Sequence, residues 1–153
     1  MDARLPRWPA RRGLPHHESL CDPHLWLRVL FLLSESAPPP TPPYSPVVQA
    51  GDFLICSGQI GMRDGAIVDG GVAAEMSQAI ANLAKLLDKH GKSLADVVKT
   101  TVFIVDMDTY ATMNTAYAAC FGGHRPARSA IGVTALPFGA LVELEAWAYA
   151  PGS

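Results

Sequence analysis

Two charged side chains stand out in the last third of the chain, because each interrupts an otherwise apolar, strand-forming segment. Arg128 lies within residues 125–137, and Glu143 lies within residues 141–149. The short connection between these segments predicts two adjacent strands. A guanidinium on one strand can bind a small carboxylate through two parallel hydrogen bonds, and a carboxylate on the next can hold or activate a water beside it. The pair therefore indicates hydrolysis of a small organic acid.

The composition narrows the range of partners. With 153 residues, 49% of them hydrophobic, the chain can bury one core and predicts one domain. A net charge of −2 gives no electrostatic footprint for nucleic acid or an anionic membrane. No run approaches the roughly 18 apolar residues that are needed to cross a bilayer. We therefore expect a small-molecule partner, with no nucleic acid and no membrane.

The cysteines bear on the compartment and on metal binding. Cys21, Cys56 and Cys120 are odd in number, far apart and without paired Cys/His spacing. This pattern argues against a structural zinc site and against a disulfide framework, and it favours a reducing compartment. We expect a cytoplasmic protein, in which Cys56 and Cys120 are buried, inert thiols on a strand and near a helix end.

The first 36 residues differ from the rest, since they mix Arg, Pro, His and Trp without any periodicity. We expect residues 1–36 to be a disordered extension, or non-native sequence read from a start placed too far upstream. A signal peptide is less favoured, because Glu18 and Asp22 intrude and no small-residue cleavage pattern follows. Residues 37–46 are proline-rich and must be extended. They either lead into the first strand or, as a less favoured alternative, offer a PxxP ligand.

Residues 37–153 read as a single domain whose periodicities predict the order ββαβαββ. The predicted elements are a hairpin of strands 47–50 and 53–57 around Gly51-Asp52, a loop over 58–71, a helix over 73–90 ended by Gly91, a strand over 97–105, a helix with Asp108 as its N-cap and Gly122-Gly123 at its end, and two closing strands. This is an α+β fold with two helices on one face of a mixed sheet. The other face carries aromatic side chains, so we expect copies of the chain to cover it.

Six segments, taken in order, resemble the successive signatures of one family. They are Tyr44-Ser-Pro-Val-Val, Ser57-Gly-Gln-Ile-Gly-Met, Gly70-Gly-Val-Ala-Ala-Glu, Val97-Val-Lys-Thr-Thr-Val, Pro126-Ala-Arg-Ser and Val142-Glu-Leu-Glu-Ala. The family is Rid, the reactive-intermediate (enamine/imine) deaminases, also called YjgF-like, translation-initiation-inhibitor or endoribonuclease L-PSP proteins. The resemblance covers about residues 37–150. It implies a chorismate-mutase-like fold and a homotrimer, whose sheets form a central barrel and whose active sites lie between subunits.

The resemblance also implies roles for individual residues. Arg128 would bind the substrate carboxylate, and Glu143 would position the hydrolytic water. Tyr44 and, thirteen residues later, Ser57 match the pocket tyrosine and serine of the family. Asn114 matches an asparagine on the second helix, and Gly58 and Ala130 would each donate a backbone N–H group. The implied reaction converts an enamine or imine acid, such as 2-aminoacrylate, into a 2-keto acid and ammonia. It calls for no metal and no cofactor.

Some positions depart from the family pattern and leave the substrate preference open. Phe138 stands where a lysine is common, Pro42 stands near a usual glycine, and Ala130 replaces a cysteine found in some members. A non-catalytic ligand-binding or protein-protective trimer remains an alternative to the enzyme. A ribonuclease is disfavoured, because the sequence has no basic groove and no histidine pair placed for phosphodiester cleavage. We expect His124, on a glycine-rich loop, to be exposed.

Overall fold

The computed structural model describes residues 42–152. Residues 1–36, for which we predict a disordered extension or non-native sequence, lie outside this range. The elements are β1 (Val47–Ala50), β2 (Phe53–Ile60), β3 (Met62–Arg63), β4 (Ala66–Ile67), α1 (Gly71–Asp88), β5 (Val97–Ile104), α2 (Tyr110–Phe121), β6 (Ala127–Gly132) and β7 (Val142–Tyr149). Neither helix of the described range is long and apolar enough to cross a membrane.

Five strands form one mixed sheet in the order β1-β2-β7-β5-β6, in which only the β5–β6 pair is parallel. The predicted α+β fold with the order ββαβαββ is confirmed. The prediction that β6 and β7 are adjacent is wrong, because β5 lies between them. The chain after β6 crosses the end of β5, where Val133 N–H donates to Ile104 O (2.9 Å) and Val105 N–H donates to Leu141 O (3.0 Å).

The core lies between one face of the sheet and the two helices. Every second residue of β7 is buried there, as expected for a strand with one covered face. The buried residues are Val142, Leu144, Ala146 and Ala148 from β7, Met76, Ile80, Leu83 and Leu87 from α1, and Met113, Tyr117 and Phe121 from α2. Gly91 ends α1 as predicted, with a φ of 67° and an N–H bond to Asp88 O.

The alternate residues of β7 point to the other face of the sheet. They are Glu143, Glu145, Trp147 and Tyr149, and both aromatic side chains are more than two-fifths exposed. Phe53 of β2 contacts both of them, with ring centroids 6.3 Å from Trp147 and 5.6 Å from Tyr149. The predicted uncovered aromatic face is therefore present within the described chain.

Two local predictions are wrong for identifiable reasons. Residues 58–71 are not all loop, because β2 runs to Ile60 and β3–β4 form a small hairpin. Its turn, Asp64-Gly65, has positive φ at both residues, which an Asp-Gly pair favours. Asp108 does not cap α2. A 3₁₀ turn comes first, so the cap moves to Asp106, whose carboxylate accepts from the Asp108 N–H (2.9 Å).

A buried carboxylate links α1 to the start of β7. Glu75 is 3% exposed, and its Oε2 accepts from the Leu141 N–H at 2.7 Å. Gly61 lies so close that an added Cβ would be 2.5 Å from the Cα of Glu75. Because Leu141 is two residues before Glu143, this contact fixes where β7 begins and hence where Glu143 lies.

Candidate active site

Arg128 lies on β6 and extends under α2, where three side chains hold its guanidinium. Its Nη2 donates to Asn114 Oδ1 at 2.6 Å and to Tyr110 Oη at 3.2 Å. The guanidinium carbon lies 4.7 Å from the centroid of the Tyr117 ring, within cation–π range. Within residues 42–152, Nη1 and Nε of Arg128 donate to no acceptor, so both can donate to an incoming ligand. Sequence predicted Arg128 and Asn114 as site residues, and the structure brings these two together.

The ring under Arg128 is itself fixed from below. Tyr117 Oη and Thr100 Oγ1 are 2.9 Å apart, and Thr100 is fully buried. The Tyr117 ring also stacks on Phe121, with centroids 4.5 Å apart. Burial raises the pKa of the Tyr117 hydroxyl, while the bond to Thr100 and the nearby arginine charges oppose that rise. The hydroxyl thus stays a neutral hydrogen-bonding group that sets the plane of the ring.

Tyr110, Tyr117 and Thr100 belong to this arrangement but are not among the site residues predicted from the sequence. The helical spacing of Tyr110, Asn114 and Tyr117 places them on one side of α2 and was the available signal. Thr100 gave no signal, because its contact depends on β5 and α2 packing together.

Ala130 lies two residues after Arg128 on the same face of β6 and packs against the core. Along β6, successive backbone N–H groups point alternately toward β5 and away from it. The N–H of Val133 points toward β5, because it donates to Ile104 O. By that alternation, the N–H of Ala130 is directed to the outer edge of the sheet. Ala130 can therefore offer a backbone donor, as the resemblance implies.

Glu143 does not lie beside Arg128. It lines a separate cleft, of about 420 Å³, on the other side of the molecule. Both polar and apolar side chains line this cleft. Its lining residues are Tyr44, Ser57, Gly58, Ile60, Pro137, Phe138, Glu143 and Glu145. Four of the predicted site residues (Tyr44, Ser57, Gly58 and Glu143) are therefore together. Phe138, 79% exposed with a φ of 58°, stands at the rim.

A β-bulge brings Glu143 against β2. The register of β2 and β7 shifts between Cys56 and Gln59, so that Ser57 and Gly58 together oppose one residue of β7. The Glu143 carboxylate packs directly on Gly58, because an added Cβ there would lie 1.7 Å from Oε1. Ser57 Oγ donates to Ser45 O at 2.6 Å, which leaves this hydroxyl as an acceptor toward the cleft.

The carboxyl of Glu143 is poised to accept a proton. Burial, and then the negative charge of Glu145 on the same strand face, raise the pKa of Glu143 above its usual value. A carboxylate with a raised pKa is a stronger base, so it can take a proton from a water molecule more readily. Glu145 thus acts on Glu143 by charge, as its spacing of two residues predicts.

The two clefts lie on opposite faces of one sheet. Arg128 is in register with Thr100 of β5, which is in register with Ala146 of β7, and that row faces the helices. Glu143 belongs to the alternate row of β7 and faces away from the helices. One chain therefore does not bring Arg128 and Glu143 together, and the expectation that neighbouring strands would do so is wrong.

Other candidate groups serve the fold. His124 is half-buried, not exposed as expected, because its Nε2 lies 2.6 Å from the carbonyl oxygen of Val97. Cys56 is buried, and burial raises its pKa to about 11, so it is an inert thiol as predicted. Cys120 is only partly buried. Within residues 42–152, no group of three His, Cys, Asp or Glu side chains is placed to hold a metal ion.

Comparison with known proteins agrees with the resemblance in the sequence. A family model described as Endoribonuclease L-PSP matches residues 34–150. The chain is 42% identical over 120 residues to a RutC family protein of Pyrococcus horikoshii, covering 77% of this chain and 95% of the relative. It is 44% identical over 112 residues to the 2-iminobutanoate/2-iminopropanoate deaminase of Mus musculus, covering 72% and 83%. The crystal structure of the YjgF gene product of E. coli matches with a TM-score of 0.68 and 36% identity, covering 74% and 92%.

Proposed function

The chain belongs to the endoribonuclease L-PSP family, which includes the YjgF-like Rid proteins, and from this membership we propose that it hydrolyses small 2-imino acids to 2-keto acids and ammonia. The relative from Mus musculus is named a 2-iminobutanoate/2-iminopropanoate deaminase and is 44% identical. That name supports the reaction class. The fold of this chain is the α+β, chorismate-mutase-like fold of the family.

One observation carries the proposal, namely a fixed guanidinium that has no anionic partner among residues 42–152. Asn114, Tyr110 and Tyr117 hold Arg128 in place, yet no carboxylate of residues 42–152 forms an ion pair with it. A half-buried cation without a counter-charge favours binding an anion from outside. Its flat fork matches a carboxylate, which every 2-imino acid carries.

Glu143 would hold and activate the attacking water. Its raised pKa suits removal of a proton from water as the oxygen attacks the carbon of the C=N bond. The imine nitrogen takes up a proton, which gives a carbinolamine. The C–N bond then breaks, ammonia leaves, and the remaining C–OH loses its proton to form the keto acid. An enamine substrate first moves a proton from nitrogen to carbon to become the imine. Orientation of substrate and water is the main requirement, because imines already hydrolyse in water.

The complete site would need two copies of the chain. The Arg128 cleft and the Glu143 cleft face opposite ways, so a ligand on Arg128 can meet Glu143 only from another subunit. The uncovered aromatic face of Phe53, Trp147 and Tyr149 supports assembly, since an exposed apolar patch of this kind favours an interface. We propose a homotrimer with the two clefts joined at each interface.

The test generates imines from neutral amino acids with an amino-acid oxidase and records the release of keto acid and ammonia with and without the protein. Faster release that is lost in Arg128→Ala is the expected result. Release at the uncatalysed rate, from a folded protein that still binds the keto acid, would instead assign the alternative function of a carboxylate-binding trimer.

A ribonuclease is not favoured, because the two histidines of residues 42–152 are not placed as a catalytic pair. His124 is bound to the main chain. His90 follows α1, whereas α2 is the helix that covers Arg128.

A further inference from the structure

The cleft at Arg128 contains a second guanidinium. Arg125 and Arg128 both line this cleft of about 350 Å³, together with Asn114, Tyr117, Ala118 and Pro126. None of these residues is acidic. Between residues 42 and 152, no carboxylate forms an ion pair with either arginine. Two positive charges thus face one cleft without a counter-charge from the described part of the chain.

Main-chain contacts hold Arg125 in position while leaving part of its guanidinium open. Its Nη1 donates to the carbonyl oxygens of Gly122 and His124, the latter at 2.8 Å. These carbonyls lie just past the end of α2, so the contact fixes Arg125 to the turn that follows the helix. Nη2 and Nε make no hydrogen bond within the described chain. The main-chain contacts therefore use only one of the three guanidinium nitrogens of Arg125.

The two arginines act on the same neighbouring group. Burial raises the pKa of the Tyr117 hydroxyl, and the charges of Arg128 and Arg125 both oppose that rise. Both cations are therefore close enough to Tyr117 to influence it. Two like charges in one cleft repel each other, and a ligand with two negative groups would remove that repulsion. A ligand with one carboxylate would leave the second charge uncompensated.

We propose that Arg125 forms a second anion subsite and that this protein favours 2-imino dicarboxylic acids, the imines of aspartate-type and glutamate-type amino acids. The carboxylate next to the imine carbon binds Arg128, and the side-chain carboxylate binds Nη2 and Nε of Arg125. Pro126 restricts the backbone between the two arginines and so keeps their spacing. This subsite rests on the proposed deaminase function and names its substrate class.

The experiment compares two imines in the same assay, one made from a neutral amino acid and one made from aspartate or glutamate by a suitable oxidase. The quantity measured is the ratio of kcat/KM for the dicarboxylic imine to kcat/KM for the neutral one. Arg125→Gln should lower this ratio about tenfold, because KM for the dicarboxylic imine rises. A tenfold effect is at the lower end of the range for a charge-assisted hydrogen bond, as expected at an exposed site. Arg125→Lys should lower it less, because the charge remains but the fork is lost. Arg125→Lys is also the second variant with which the subsite can be tested if Arg125→Gln does not fold.

Arg63→Gln is the matched control, because Arg63 is an exposed arginine on β3 that lines a different cleft. It should leave the ratio unchanged. An unchanged ratio in folded Arg125→Gln, or a wild-type protein that accelerates only the neutral imine, would overturn the subsite.

Calorimetry with 2-oxoglutarate and 2-oxobutanoate separates the subsite from the reaction, since it needs no turnover. Tighter binding of 2-oxoglutarate that depends on Arg125 would support the subsite even if neither imine were accelerated. That same absence of acceleration would overturn the proposed function. Equal binding of the two keto acids, or a preference that persists in Arg125→Gln, would overturn the subsite.

Discussion

Arg128 and Glu143 lie on opposite faces of the same five-stranded sheet. Arg128 shares a row with Thr100 and Ala146 and lies under α2, whereas Glu143 is on the alternate row of β7. Because strand residues alternate between faces, no rearrangement short of a register slip brings both to one ligand within a chain. The proposed site thus depends on assembly, so its two halves can be tested separately and together.

The first prediction is complementation between two inactive variants. Arg128→Ala keeps Glu143, and Glu143→Gln keeps Arg128, so a mixed assembly restores some complete sites between unlike subunits. Unfolding and refolding the two variants together should recover activity in about a quarter of the sites by random mixing. Each variant refolded alone is the control. A mixture no more active than the separate variants, despite mixed trimers in native mass spectrometry, would contradict a shared site.

The second prediction concerns Arg128 itself. Arg128→Ala should lower kcat/KM about 10²-fold or more and abolish keto-acid binding, because two charge-assisted hydrogen bonds are lost. Arg128→Lys should recover little, since an ammonium does not reproduce the planar fork. Steady-state kinetics and calorimetry measure both effects. Full recovery by lysine would show that charge alone is sufficient.

The third prediction separates water activation from binding. Glu143→Gln should lower kcat about 10²-fold, the low end for a general base acting on a labile substrate, while keto-acid affinity stays close to that of the wild type. In the wild type, kcat should fall at acid pH as Glu143 becomes protonated, with an apparent pKa above that of an ordinary glutamate. A wild-type kcat in Glu143→Gln would make Glu143 a structural residue.

The fourth prediction follows from the same raised pKa. The folded state holds the Glu143 proton to higher pH than the unfolded state does, so stability from this group is present below the unfolded pKa and is lost as pH rises through the folded pKa. Glu143→Gln removes this titration. Its free energy of unfolding, relative to the wild type, should therefore increase from about pH 4 to neutral pH. Denaturant unfolding at both pH values measures this, and a difference independent of pH would contradict it.

The fifth prediction tests the contact between Gly58 and Glu143. Gly58→Ala adds a methyl group where Oε1 of Glu143 now lies, so the carboxylate must move and kcat should fall about 10²-fold, as for a misplaced catalytic group. Gly123→Ala is the matched control, because nothing lies within 4 Å of the added carbon there. Equal kcat values in the two variants would show that the position of the carboxylate does not matter.

Much of the fold could be predicted from local sequence patterns. The alternation of Val142, Leu144 and Ala146 with charged and aromatic residues predicts a half-buried strand, and the spacing of Met76, Ile80 and Leu83 predicts an amphipathic helix. Gly91 marks a helix end because it adopts positive φ readily. The order of elements follows, since each of these signals is carried by residues close together in the chain. The Asp64-Gly65 turn carries the same kind of local signal, because an Asp-Gly pair favours a tight hairpin turn.

The sequence by itself also indicated which residue types could do chemistry, namely Arg128 and Glu143. It did not determine that β5 separates β6 from β7, because strand order depends on contacts between distant segments. Only the tertiary structure decided that Arg128 and Glu143 face opposite ways, that Thr100 and Tyr117 support the guanidinium, and that Arg125 shares its cleft. Periodicity fixes which residues of one strand share a face, whereas packing of separate elements decides which faces meet.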